Sequence, residues 1–271
     1  MTDDTNVLIE DDDGFVRTLR LNRPKRKNAL TDALGWAIVE AVERAAHDDS
    51  VRVVAITGNG DAFCSGADLG RAAETLQPPG GLSAQDQHLD DLGWIGRFLL
   101  TIRLDCDKPV VAGINGVAVG AGLALAMCAD MRIMSDAANL HPGYIRAGTS
   151  PDGGLSWTLP TLIGHEQAMR FLLDPRMVPA TEALQLGLVG EVVAAEQLGH
   201  RLQEYCAHLA GLAPIGVRQT KRLAVRAAIG ADLEAHLRDE LSYVRRGLSS
   251  DDGREAVKAI FEKRQPTFTG R

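Results

Sequence analysis

Residues 108–130, KPVVAGINGVAVGAGLALAMCAD, constrain the fold of this chain more than any other stretch. An apolar, β-rich run (Val110, Val111, Ala112) continues through Val117 and Val119. It then meets Gly120-Ala121-Gly122 and changes into strong helix formers, Leu123 to Met127. A strand that feeds a helix through glycines leaves the first helical N–H groups without intrahelical partners. The helix dipole favours negative charge at the same spot, so the turn can hold an anion, or an oxygen that becomes one during a reaction. Several site types share this description. Leu125 stands where a dinucleotide G-x-G-x-x-G wants its third glycine, no Gly-Lys-Ser/Thr of a Walker A loop follows, and no G-x-S-x-G elbow is present. Taken alone, the turn is a weak signal and reads better as a close-packed strand-to-helix corner.

The 271 residues suffice for one large domain or two small ones with a sizeable core. A net charge of −7 argues against a general affinity for nucleic acid or anionic membranes, while leaving room for a local basic site for a small anion. Cys64, Cys106, Cys128 and Cys206 form no C-x-x-C pair and show no metal-ligand spacing, so neither a disulfide framework nor a metal site is expected. The acidic start, MTDDTNVLIEDDDG, lacks the basic-then-apolar order of a targeting peptide, and no apolar run reaches membrane-spanning length. The expectation is a cytoplasmic protein.

Strands are predicted at Val7–Glu10 and Phe15–Leu21, with Asp11-Asp12-Asp13-Gly14 as a solvated hairpin tip. A helix capped by Thr31 or Asp32 runs to about His47, and Val51–Thr57 reads as a strand buried on both faces. The polar stretch from Arg71 to about Asp90, with Pro78-Pro79-Gly80-Gly81, reads as an insert over a site. Helix returns at Leu92–Leu104, strand at Met131–Ser135, helix at about Leu155 and Thr181–Gly187, and strand at Leu188–Val193. From about Ala195 the pattern is helical throughout. The alternation implies α/β layering, divided into a core of residues 5–194 and a helical region of residues 195–271.

Several motifs resemble the enoyl-CoA hydratase/isomerase (crotonase) superfamily. AFCSGADL follows a buried strand, and NG-x-A-x-G-x-G follows about fifty residues later. They are joined by LNRPKRKNAL, SPDGG, EALQLGLVGEVV and IFEKRQPTF, so the similarity runs from about Gly14 to Gly270. The resemblance implies a spiral of ββα units, a C-terminal helical oligomerisation region, and a homotrimer or homohexamer acting on an acyl-CoA thioester. Coenzyme A enters as part of the substrate, with no other cofactor. It also implies an oxyanion hole made by the backbone N–H groups of Ala67 and Ala121, which would stabilise a thioester enolate. Contacts to CoA would come from Arg26 and Lys27, from Ser65 and Ala67 through their backbone, and from Lys263 of a neighbouring copy. Asp68, next to these, would brace the turn. Aromatic and lysine residues frequent in the family are absent at Ile260 and Gly70.

The two glutamates of the family's hydratases fall on Ala124 and Tyr144. Alanine transfers no proton, and a tyrosine with a pKa near 10 is a poor base at neutral pH. Asp152, eight residues after Tyr144, is the acidic group left in the matched motifs. A single desolvated carboxylate suits a proton shuttle between two carbons of one substrate, which favours double-bond isomerisation. Asp152 before Gly-Gly-Leu-Ser-Trp also fits a helix N-cap. Tyr144 is either a hydrogen-bond donor or a space filler; His141 reads as structural, and Trp94 and Trp157 as packing residues. A dehalogenase branch of the family uses an aspartate at this point together with a histidine, for which only His88 in the insert is at hand. The alternatives are a hydratase with a non-standard acid/base set and a non-catalytic thioester-binding protein.

Overall fold

The computed structural model describes residues 6–68 and 92–271; the predicted insert over the site, with His88 and Gly70, lies outside the described residues. Strands β1 (Leu8–Asp13) and β2 (Val16–Leu21) form an antiparallel pair that leads into helix α1 (Asp32–His47). Thr31 is the N-cap of α1, its hydroxyl accepting from the Leu34 amide. Three strand–strand passages follow: β3 (Val53–Gly58) into β4 (Ala62–Cys64), β5 (Val110–Ile114) into β6 (Val117–Val119), and β7 (Met131–Ser135) into β8 (Asn139–His141). In each, the first strand joins a six-stranded sheet that ends on β10 (Glu191–Val193), of order β1-β2-β3-β5-β7-β10. The second joins a four-stranded sheet that ends on β9 (Val178–Pro179), of order β4-β6-β8-β9. Both sheets are parallel apart from β1 and β9 (Val178–Pro179) at their edges. The chain therefore winds as a spiral that adds one strand to each sheet per turn.

Helices α2 (Gly93–Leu100), α3 (Ala121–Cys128), α4 (Leu155–Ile163), α5 (His165–Leu173) and α6 (Ala180–Leu186) complete the turns, and β10 (Glu191–Val193) closes the large sheet beside β7. All eight residues of α3 are buried, so it is a central helix without a polar face. Alternate residues of β5 serve two layers. Val110, Ala112 and Ile114 pack toward α1 and α3, whereas Val111 meets Leu198, Leu202 and Cys206 of α7 (Leu198–Ala210) on the other face. Helices α8 (Pro214–Ala228), α9 (Leu233–Ser249) and α10 (Asp251–Glu262) follow. No residue of α9 is buried, and its Leu233, Leu237, Leu241, Val244 and Leu248 form an exposed apolar stripe.

Three local expectations change. The three aspartates are strand rather than turn: Asp12 pairs with Arg17 and Asp11 with Arg20 across the β1–β2 ladder, which offsets their poor strand propensity. The apolar run 110–119 is two strands in two sheets. It breaks at Asn115-Gly116, where the Asn115 amide donates to Gly60 O and Ala62 O and its carbonyl accepts from the Gly58 amide. The helix expected over Leu92–Leu104 keeps α geometry only to Leu100 and then widens into a π-type turn, Thr101–Asp105, ended by the Cys106 amide on Thr101 O. All four cysteines are buried free thiols, and burial pushes those of Cys64, Cys128 and Cys206 up to about 12.

Candidate active site

The site is assembled where the loop after β2 meets the turn after β4. The Ser65 amide donates to Lys27 O at 2.9 Å and the Leu30 amide to Gly66 O at 2.8 Å. The Asp68 amide returns to Leu30 O at 2.9 Å, forming a short parallel bridge between Leu30 and Ala67. These bonds bring Arg26, Lys27, Ser65, Ala67 and Asp68 onto one edge. Buried Asn28 anchors the loop from behind: its amide donates to Asn59 O and Ala62 O, and its carbonyl accepts from the Arg23 amide.

The predicted contacts differ in how free they are. Lys27 Nζ lies 2.7 Å from Asp61 in an exposed pair, an arrangement weak enough to be exchanged for another anion. The backbone carbonyl of Arg26 accepts from Ser65 Oγ at 3.4 Å. Asp68 faces inward, held 3.1 Å from the Arg23 guanidinium, which also donates to Ala29 O. Its carboxylate therefore ties the turn to the loop. Lys263 sits in left-handed conformation at the end of α10, exposed, and forms no hydrogen bond or ion pair with this cluster among the described residues.

The same turn packs on the start of α3. Gly66 has φ +93°, and a Cβ there would lie 2.8 Å from Val119 O and 3.7 Å from the Ala121 nitrogen. Only a glycine lets the two segments come this close. Neither the Ala67 nor the Ala121 amide donates a hydrogen bond among the described residues. At the opposite end of α3, Arg103 donates to Met127 O, Cys128 O and Ala129 O, and buried Arg132 donates to Ala129 O. The two guanidiniums satisfy the last carbonyls of this fully buried helix, and they favour its orientation electrostatically.

The third component is the segment between β8 and α4. Tyr144 is buried, and its hydroxyl donates to Asp152 Oδ1 at 2.6 Å. Burial, then the neighbouring carboxylate, raises the Tyr144 pKa far above the ordinary phenol value, so the group is a donor at any working pH. Asp152 keeps part of its surface open, yet loss of water around its carboxyl raises its pKa; the Tyr144 hydrogen bond opposes that rise. Asp152 does not cap α4 with its side chain. Gly154 occupies the N-cap with no side-chain bond, and only the Asp152 backbone carbonyl accepts from the Leu155 amide. The capping alternative falls.

Gly153 brings this segment onto α3. Its φ is +57°, and a Cβ there would stand 2.6 Å from Ala124 Cβ and 3.0 Å from Ile95 Cδ1. Asp152 is thus the residue next to a direct contact with the first turns of the central helix. His141 is buried with Nε2 near Pro175 O at 3.2 Å, and its backbone carbonyl accepts from the Gly120 amide. Trp94 donates to Asp32 and packs on Phe98, while Trp157 is more than half exposed. A large apolar cavity of about 850 Å³ lies elsewhere, between α2, α4, α7 and α8, and none of the predicted site residues lines it. Sequence reasoning missed Arg23, Asn28 and Gly153. The first two stand inside the matched LNRPKRKNAL motif, and Gly153 follows Asp152 directly.

The Gly66 turn and the Gly153 turn thus both pack on α3, one at its start and one at Ala124. The profile of the enoyl-CoA hydratase/isomerase family matches residues 12–271. The "Probable enoyl-CoA hydratase echA12" of Mycobacterium bovis is 37% identical over 97% of this chain and 92% of its own length. The 1,2-epoxyphenylacetyl-CoA isomerase of Escherichia coli is 35% identical over 94% of this chain and 95% of its own. Among solved structures, an enoyl-CoA hydratase from Polaromonas sp. JS666 superposes with a TM-score of 0.88 at 28% identity, covering 97% of this chain and 99% of that one. Sequence, winding and whole-chain coverage agree: this chain belongs to the enoyl-CoA hydratase/isomerase family.

Proposed function

We propose that the protein moves protons on an acyl-CoA thioester by enolate chemistry, with double-bond isomerisation as its reaction and Asp152 as the single shuttling base. The N–H groups of Ala67 and Ala121 receive the thioester oxygen. Removing an α-proton puts negative charge there, and each preoriented donor of this type lowers such a barrier by about 3 kcal/mol. The carboxylate of Asp152 takes the proton from one carbon and returns it two bonds away. Tyr144 stands beside it as a protonated donor.

The observation that carries this reading is the contact between Gly153 and Ala124. It places the Asp152 turn against the helix that begins at Ala121. It also fills, with a methyl group and a bare backbone, the place where a family hydratase carries its first glutamate. Without a second carboxylate nothing activates water for addition. The isomerase relative in Escherichia coli supports the same choice, since its name describes rearrangement of a CoA thioester.

CoA is held at the Arg26–Lys27 edge, by Ser65 through its backbone, and by Lys263 from a neighbouring copy. The helical region of residues 195–271 provides the assembly surface of a trimer or hexamer, in which the bare stripe on α9 is covered. The test is turnover on matched 2-enoyl- and 3-enoyl-CoA thioesters. Isomerisation outpacing hydration supports the proposal; hydration outpacing isomerisation restores the hydratase alternative, and binding without turnover restores the binding-protein alternative.

A further inference from the structure

Tyr144 stands where the family's hydratases carry their second glutamate, and its hydroxyl donates to Asp152 Oδ1 at 2.6 Å, with the Asp152 backbone amide also against it. The Tyr144 backbone is fixed by its carbonyl, which accepts from the Ala147 and Thr149 amides, and its ring is buried. The surroundings of the pair are nearly free of other charge. From α3 the facing group is Cys128, whose Sγ lies 3.5 Å from Gly153 O and whose thiol is held up at about 12, hence neutral. From α2 the neighbours of the Gly153–Gly154 turn are the apolar Ile95 and Leu99. On the segment itself, Arg146 is exposed and forms no ion pair with Asp152. Among the described residues, Asp152 Oδ2 accepts from no other side chain.

We infer that Tyr144 is the positioning residue of the site: by donating to Oδ1 it withdraws that oxygen from the reaction and presents Oδ2 alone to substrate. The inference rests on the reading of Asp152 as the shuttling base. The step it governs is a proton transfer. Oδ2 takes the α-hydrogen as a proton, the C–H electron pair passes into the thioester enolate, and the same O–H returns the proton to the γ-carbon while the double bond shifts. An O–H donor on a carboxylate stabilises the charged form and is among the stronger hydrogen bonds. Such a bond, worth about 1.5–3 kcal/mol, corresponds to a displacement of about one to two pH units.

The experiment is the pH dependence of kcat/KM for isomerisation of 3-hexenoyl-CoA by wild type, Asp152→Asn and Tyr144→Phe. The base must be ionised, so activity falls on the acid side. Tyr144→Phe should move that acid limb up by about one to two pH units while recovering near wild-type turnover above it. A packing role alone would lower turnover at every pH and leave the limb in place, and that result overturns the inference. Asp152→Asn retaining activity would overturn the base assignment itself, whatever Tyr144→Phe does, so the two failures are separate. Uniform replacement of the three tyrosines by 3-fluorotyrosine keeps the fold where Tyr144→Phe does not. A more acidic phenol is a stronger donor, so the limb should move to lower pH, and an unmoved limb again overturns the inference.

Discussion

Gly153→Ala tests the packing on which the absence of a second carboxylate depends. The new methyl would stand 2.6 Å from Ala124 Cβ, against an ordinary carbon–carbon contact of about 3.5–4.0 Å, and 3.0 Å from Ile95 Cδ1. Overpacking of this kind costs about 1–3 kcal/mol. The backbone adds its own strain, because φ at this position is +57° and left-handed geometry costs a residue with a Cβ about 1–2 kcal/mol. The expected loss is therefore about 2–5 kcal/mol. Ala124→Gly alone should cost about 1 kcal/mol through helix propensity. The double variant removes the methyl–methyl clash but keeps the strain, so it should be more stable than the sum of the singles by about 1–3 kcal/mol. Urea unfolding of all four proteins at one fixed protomer concentration measures this coupling. A cost for Gly153→Ala below about 1 kcal/mol, or additivity within about 0.5 kcal/mol, would refute the contact.

Asp152→Asn should be at least as stable as wild type at pH 8. The native carboxyl has a raised pKa and holds its proton above the range where the unfolded chain releases it, so wild-type stability falls as pH rises through that window, upward from about 4. Melting curves at pH 5 and pH 8 check this, and a variant less stable than wild type at pH 8 contradicts it. Lys263→Ala should weaken CoA-thioester binding about tenfold, more at low salt than at high, with turnover at saturation nearly unchanged; titration calorimetry and saturation kinetics at two ionic strengths decide. Leu241→Glu, in the middle of the α9 stripe, should dissociate the assembly, read by light scattering at micromolar concentration; an unchanged mass would place the interface elsewhere.

The elements with strong period and clear caps were legible: α1 begins and ends where Thr31 and His47 predict, and the chain from Leu198 to Glu262 is helical in four segments, as its pattern predicts. The break between β5 and β6 was not, since both halves are apolar and the sheet switch is made by the side chain of Asn115 reaching Gly60 and Ala62. The Asp11–Asp13 run read as a turn because Arg17 and Arg20 become its partners only once the hairpin closes. In the site, motif resemblance picked out the cluster at Arg26, Lys27, Ser65 and Asp68, but the Arg23–Asp68 pair joins residues 45 apart. Between Tyr144 and Asp152 lies only the short 3-10 turn Ile145–Ala147, so no regular element and hence no period relates the two residues. Their hydrogen bond depends on how the loop folds back, as does the meeting of Gly153 with Ala124.

Mass spectrometry of acyl-CoA turned over in deuterated water tests the central claim directly. A 3-enoyl-CoA substrate is followed for deuterium at the α- and γ-carbons and, on the same sample, for the mass gain of hydration. The account predicts rapid exchange and isomerisation with hydration slower by at least about two orders of magnitude, and an Asp152→Asn variant reduced in exchange by about 10²–10⁴. Hydration as fast as exchange in wild type, persisting in Asp152→Asn, would contradict it.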